Sequence, residues 1–569
     1  MTRWAGLILC AILGVDLLLC GLIVPAHLRA VEGSLLQKAG RHTPTLVAKG
    51  VALASQNNLG AAQLLARAAQ EQRVLGWESL GQAVTNVAVQ HPEWHAWGGG
   101  PYHLQILFAP GANRSDSSPE PITDWLIHSA NRTTVLELLR TSSHIPVLEL
   151  LRCRQLTNTT VFASSQSSAG QALDSALALG GLLIQEQVLG PGLTTALQTE
   201  AEQANNGSST APLENTLLDL MSLGQRLNWA QLSAFLGQVP DPDALHVLAH
   251  QARLEGARLP VLYSTVVLSG QPAAVAHYLT TFSQTGLDDL GASLRYGQGG
   301  VNELLRQNQR LYNSELRRQL GATAWLAGLE DFAAEQTLRA PRAALAVKWV
   351  FYLLGGFLLA AAMHFAWPKV SELEKPLQVR GFHLAREFLF ALGFLLVVLL
   401  LSEPFLTQES QKAVIPFRLS LSTVAGAVAA GTTGARGPFM NQVSLLTLLL
   451  FFVLQGLLYT ASVVKLAEIR RQQVSPRVKL KLLENEDHLF DAGLYLGFVG
   501  TIVSLILVSL NIITFSLMAA YSSTSFGIVF VSFFKIFNLR PVRRRLVLEA
   551  EAQIPETEVP AGVRLAPTT

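Results

Sequence analysis

The sequence predicts an all-α protein: a polytopic helical membrane protein with a large extracytoplasmic α-solenoid-like domain. Three observations lead there. Only 14% of the 569 residues are charged while 50% are hydrophobic, and mean hydropathy is +0.32; soluble domains carry roughly 25% charged residues. The apolar excess is gathered into runs near both ends of the chain. Between the runs lies a block of roughly 300 residues, enough for one large domain or two small ones. That block repeats apolar residues at helical rather than strand spacing.

A bilayer core about 30 Å thick needs roughly 20 apolar helical residues to cross it. Six stretches approach that length: Ala5 to Val24, Val347 to Trp367, Leu384 to Leu401, Val443 to Leu466, Leu489 to Asn511 and Ile512 to Phe534. The last two run on for about 45 residues, too long for one crossing, so Asn511 is expected near the turn of a hairpin. Basic residues cluster after the second span (Lys369, Lys375, Arg380, Arg386), after the fourth (Arg470, Arg471, Arg477, Lys479, Lys481) and after the last (Arg540, Arg543, Arg544, Arg545). Such loops stay in the cytoplasm. Alternation then places both termini inside and the long block outside.

The expected organisation is a first transmembrane helix (1–26), the external helical domain (27–345), two transmembrane helices (346–402), an external connection (403–442), three transmembrane helices (443–535), and a basic cytoplasmic segment with a disordered tail (536–569). The stretch from Leu419 to Gly434 can re-enter the membrane or lie along it. The first span also suits a secretory signal, since an arginine precedes it and small residues follow. Asp16, in the middle of that run, argues against an ordinary signal core. As an intramembrane acid it is either functional or hydrogen-bonded to a neighbouring helix.

Within the external block, Leu53 to Ala69 and Asp241 to Leu254 show amphipathic helical periodicity. From Leu217 to Tyr312 helix stops recur every roughly 11 to 16 residues, giving helix pairs of about 30 residues, the size of one solenoid repeat. An irregular helical bundle is the alternative. Loops are expected around Gly98 to Ser129 and Asn205 to Thr210, and the glycine-rich GGG (Gly98 to Gly100) and YGQGG (Tyr296 to Gly300) also read as loops.

Several function classes drop out. A net charge of +2 leaves no electrostatic footprint for nucleic acid. Cys10 and Cys20 fall in the first span and Cys153 stands by itself in the external block, so no disulfide framework or cysteine metal site is expected. Phosphate-loop, zinc-helix and nucleophile-elbow motifs are absent. His364, near the end of the second span, reads as a packed or interfacial histidine. The chain is expected to be no enzyme, with no catalytic residue, cofactor or metal.

The chemistry that remains is in the last two spans. Gly493, Gly497 and Gly500 permit close helix approach, and Thr501 and Ser504 share a face; on the returning span Ser516, Ala520, Ser523 and Gly527 form a small stripe flanked by Thr524. Hydroxyls donate and accept protons without carrying charge, so such helices can line a file of water or hold a partner's carboxylate; on composition alone ordinary helix packing is the favoured explanation.

LGFVGT from Leu496 to Thr501, followed by TSFG from Thr524 to Gly527, Asn538 and the RPVRRR run, resembles the MotA/TolQ/ExbB proton-channel family. The likeness covers about the last 100 residues, with a shorter cytoplasmic linker, a compressed spacing between the threonines and no proline-bearing stretch after the second motif. It implies a bacterial inner-membrane, proton-conducting, stator-like subunit of an ion-driven motor or energy-transducing complex. It further implies a homo-pentamer around a single-span MotB/TolR/ExbD-like partner that carries a membrane carboxylate. Thr501, Ser504, Ser523 and Thr524 would line the ion pathway, with Gly493, Gly497, Gly500 and Gly527 as packing positions. The external domain would dock a protein ligand. Two alternatives remain: the permease subunit of an ABC-type transport system, and a non-transporting membrane scaffold or receptor.

Overall fold

The computed structural model describes residues 2–94, 97–100, 121–162, 169–313, 324–366, 382–405, 442–509 and 517–552. The described residues are about 81% helical with almost no sheet. The chain divides into two compact units, one made of Ala30–Arg339 and the other of Met1–Arg29 together with Ala340–Thr569.

In the Ala30–Arg339 unit, local sequence sets the helix starts. Thr45, Asn58 and Asp241 each accept the backbone amide three residues on, and Asn228 and Gln231 form a reciprocal capping box. Prolines 191, 242 and 272 open helices, where their missing N–H is no loss. The periodic tract from Leu53 to Ala69 is two helices rather than one. Asn57 adopts a left-handed φ of 62° and Asn58 caps Leu59–Glu71, so Leu46–Ser55 ends before the second helix begins. The second tract is continuous as Pro242–Leu254.

Successive helices alternate between two rows. Ala169–Gln185, Ala211–Gly224, Pro242–Leu254 and Pro272–Thr281 pack in sequence in one row, and Trp229–Leu236, Leu259–Ser269 and Gly286–Ser293 in the other. The first helices fold back onto the second row: Leu59–Glu71 packs on both Trp229–Leu236 and Leu259–Ser269, and Gly33–Gly40 on Gly297–Gln307. A parallel two-stranded ribbon pairs Ala30–Glu32 with Arg310–Tyr312 beside that contact. One continuous apolar core results. It corrects one expectation: Gly297 to Gly300 form the first turn of a helix, because Gly299 and Gly300 lie against the Ala39 and Leu36 carbonyls, where a Cβ would crowd the crossing helix. Gly98–Gly100 do lie outside any helix, with Gly98 at φ 78° against the Asn228 side chain. Burial pushes the Cys153 thiol up to about 12, which keeps it protonated and structural.

In the other unit, Thr2–Ile23 packs along Pro341–Ala366, which packs on Phe382–Ser402, which packs on Gln442–Arg471. The last of these contacts both Ala492–Ser509 and Leu517–Phe533, which pair closely with each other. Among the described residues four helical segments are long and apolar enough to cross a membrane: Trp4–Ile23, Pro341–Met363, Leu446–Arg471 and Tyr521–Glu551; Glu387–Leu399 and Ala492–Val503 are shorter apolar stretches. Leu517–Phe533 continues through a π-helical turn, Phe534–Leu539, into Arg540–Ala552, which packs against Pro476–Asn485. Leu466, Leu483, Phe490, Phe534, Leu539 and Leu546 form the small core of that end. The expected turn at Asn511, most of the 403–442 connection with Leu419 to Gly434, most of the loop from Gly98 to Ser129, and the tail from residue 553 lie outside the described residues.

One buried carboxylate ties a loop to the helical stack. Glu214 accepts the amides of Thr160, Val161 and Phe162 at 2.9, 2.5 and 3.1 Å and the Thr210 hydroxyl at 2.7 Å. Burial by itself would raise its pKa, but these donors together hold it below the ordinary carboxylate value. A carboxyl depressed in the folded state stabilises fully above its unfolded pKa and loses that contribution as pH falls through the folded value. Glu214→Gln is therefore expected to destabilise the protein by about 2–3 kcal/mol at neutral pH. The gap between variant and parent should close below about pH 4, as read by thermal unfolding of the two proteins across a pH series.

Candidate functional site

In the membrane-type unit Ala492–Ser509 and Leu517–Phe533 approach each other closely, backbone against backbone. A Cβ at Gly497 would stand 2.8 Å from the Ser523 carbonyl oxygen, and one at Gly527 would stand 2.7 Å from the Gly493 carbonyl oxygen. One at Gly500 would collide with the Ser523 hydroxyl, and one at Gly493 would lie 2.8 Å from Gln455 Oε1. Glycine at these positions lets one backbone lie against the other.

That proximity brings two of the sequence-selected hydroxyls together. Thr501 Oγ1 and Thr524 Oγ1 are 2.6 Å apart, and both also reach the Gly497 carbonyl, at 3.1 and 3.2 Å. Thr501 is buried and Thr524 half-buried. Ser523 is 1% exposed, and its hydroxyl has no hydrogen-bond partner among the described residues. Only the backbone of Ser504 is described; the side chains of Ser504, Ser516, Ala520 and His364 lie outside the described residues.

Gln455, on Gln442–Arg471, is the group that sequence reasoning missed here. It is 1% exposed, donates to the Gly493 carbonyl at 2.9 Å, and leaves its Oε1 without a partner among the described residues. It lines a cavity of about 10 Å³ with Tyr459, Ser462, Phe490, Gly493 and Phe530, at the lower limit for one water molecule. A glutamine within an apolar run was the available signal. Just below, Asn538 donates to the Tyr459 hydroxyl at 2.9 Å and Lys535 pairs with Asp491 at 2.7 Å, both from the π-helical turn. Such turns recur where function displaces a regular helix.

Asp16 sits elsewhere. It is exposed on the face of the first helix opposite Gly14 and Gly21, which contact Gly355 and Tyr352 of Pro341–Ala366. Among the described residues it hydrogen-bonds no other helix.

A second polar cluster escaped the sequence altogether. Lys348 Nζ donates to the Ala26 carbonyl at 2.7 Å and lies 3.3 Å from His27 Nδ1 and 3.6 Å from Glu403 Oε1; Glu403 Oε2 accepts the Leu28 amide at 2.9 Å. Lys348 is 1% and Glu403 5% exposed. Burial opposes the Glu403 charge, but His27, Lys348 and the Leu28 amide outweigh it and hold the carboxyl below its ordinary value. These residues come from the ends of three helices far apart in sequence, so no local pattern could join them.

Among the described residues no group of three or more His, Cys, Asp or Glu side chains could hold a metal ion. No protein-family model, curated protein or solved structure matches the chain.

Two outcomes follow from the packing. Gly497→Ala and Gly527→Ala place a methyl against backbone and are expected to lower the detergent unfolding midpoint by several degrees. Gly456→Ala, with nothing within 4 Å, is expected to be within about 1 kcal/mol of the parent. Lys348→Met leaves Glu403 buried without its lysine, held by His27 and the Leu28 amide alone, and should destabilise by about 3–5 kcal/mol, whereas Lys348→Met with Glu403→Leu should recover most of that loss; thermal unfolding of both variants in one detergent checks it.

Proposed function

We propose that the membrane-type unit is the proton-conducting subunit of an ion-driven motor or energy-transducing complex in a bacterial inner membrane, and that the helical Ala30–Arg339 unit docks an external partner. The observation that carries this reading is the Thr501–Thr524 hydroxyl pair at 2.6 Å, set in a helix contact that also holds the unpartnered buried oxygens of Gln455 and Ser523. Apolar helices that serve only as anchors have no use for four polar groups at one crossing. In this reading all six apolar stretches span the bilayer, both termini are cytoplasmic, and residues 27–345 form a periplasmic solenoid-like surface. Five copies surround a single-span partner whose carboxylate takes protons relayed past Thr501 and Thr524, with Ser504 and Ser523 extending the polar edge. One charge crossing 100 mV releases about 2.3 kcal/mol, enough per step to tilt or turn a helical assembly against a modest load.

A second reading, the anchored scaffold, draws on one specific contact: both threonine hydroxyls reach the Gly497 carbonyl, which satisfies them without water.

Proton uptake into vesicles reconstituted with the native complex separates the two. Thr501→Val and Thr524→Val keep side-chain shape while removing the hydroxyl, so each is expected to reduce flux at least about tenfold, with Thr501→Ser near the parent and oligomer mass unchanged. Full flux through both valine variants rejects the relay. A parent complex that passes no protons leaves the scaffold.

A further inference from the structure

The helix running from Leu517 through the π-helical turn to Ala552 is about 50 Å long at 1.5 Å per residue. A bilayer core of about 30 Å cannot contain it, so its arginine-rich end emerges at headgroup level. There an open cleft of about 800 Å³ is lined by Lys535, Leu539, Arg540, Arg543, Arg544 and Leu548, among others. Its cations differ in their partners. Lys535 pairs with Asp491 at 2.7 Å, and Arg543 lies 3.6 Å from Glu484. The neighbouring Arg545 pairs with Glu549 at 2.8 Å. Arg540 and Arg544 have no carboxylate partner among the described residues.

These two arginines are four apart on one helix and so share a face. Leu548, 58% exposed, lines the same cleft, and Phe537, in the π-helical turn just before the arginines, is 63% exposed. Guanidinium groups at headgroup depth, with an exposed aromatic ring on their bilayer side, match an acidic phospholipid, with its phosphate on the arginines and its acyl chains running back past Phe537 toward the hydrocarbon. Pro476–Asn485, packed alongside, adds the exposed Arg477 and Lys481 to the same end of the unit.

We propose that Arg540 and Arg544 form a binding site for the headgroup of an anionic phospholipid. The site rests on the membrane-spanning part of the functional reading and is independent of proton conduction.

The purified full-length protein in neutral detergent is equilibrated with phosphatidylglycerol and phosphatidylcholine, and retained lipid is counted by native mass spectrometry. Phosphatidylglycerol is expected in clear excess over phosphatidylcholine. Arg540→Gln with Arg544→Gln should weaken its retention about thirtyfold, the worth of two basic residues at an anionic surface. Arg540→Lys with Arg544→Lys should keep most of the binding. Raising salt from about 50 to about 500 mM should weaken phosphatidylglycerol retention by the parent itself, a test that needs no variant. Equal retention of the two lipids overturns the proposal. So does unchanged retention by the double glutamine variant, or full displacement by millimolar inorganic phosphate, which marks a site for a soluble anion. Loss of proton flux with lipid selectivity intact, or the reverse, tells failure of one reading from failure of the other.

Discussion

Backbone contact between the two C-terminal apolar helices is the constraint on which the polar chemistry of the unit depends. A regular helix pair keeps its axes about 8–10 Å apart because side chains fill the gap. Here glycines at 493, 497, 500 and 527 remove that filling, and carbonyl oxygens of each helix face α-carbons of the other. Small polar side chains then meet across the contact instead of pointing away from it. Thr501 finds Thr524, and Gln455 reaches the Gly493 carbonyl from a third helix. Helix packing in lipid has no large hydrophobic driving force, so close van der Waals contact and a few hydrogen bonds of about 0.6 kcal/mol each must suffice.

The same logic explains why the unit holds its charges in two different ways. Lys348 and Glu403 are enclosed, and each is surrounded by donors or acceptors from the chain ends that meet there. Such a cluster contributes little net stability compared with apolar packing, yet removing one member strands the others. The cluster ties the segment after the first helix to Lys348 of Pro341–Ala366 and to Glu403 just past Phe382–Ser402. Asp16 has no such enclosure. An exposed carboxyl at mid-span is costly in hydrocarbon, and that cost favours any arrangement in which another chain covers this face.

The helical class and the apolar character of the terminal runs were legible because both depend on local composition and period. Asp241 as a cap and Pro242 at the first helical position mark a helix start in sequence as plainly as in structure. The break inside Leu53 to Ala69 was not legible, since apolar periodicity runs on through Gln56–Asn58 and only the left-handed Asn57 interrupts it. YGQGG carries loop composition but forms a helical turn because a neighbouring helix demands small residues there, a tertiary requirement that overrides propensity. At the site, spacing within each helix was enough to single out the glycines and threonines. Gln455 was missed because its importance arises from a partner thirty-eight residues away, and the Lys348 cluster because it spans more than three hundred.

The threonine pair also has a property that separates it from ordinary packing. Two hydroxyl protons serve at least three close contacts: Thr501 to Gly497, Thr524 to Gly497, and threonine to threonine. One contact is always without its proton, and either threonine can be the donor to the other. The pair thus has two arrangements of opposite direction, exchanged by rotating hydroxyls with no movement of heavy atoms. Reversal of this kind is what a relay needs after each proton has passed, because a chain of hydrogen bonds that has carried one proton points the wrong way for the next. A pair held only for packing gains nothing from that degeneracy: a single threonine bonded to the carbonyl four residues back would satisfy its helix equally well.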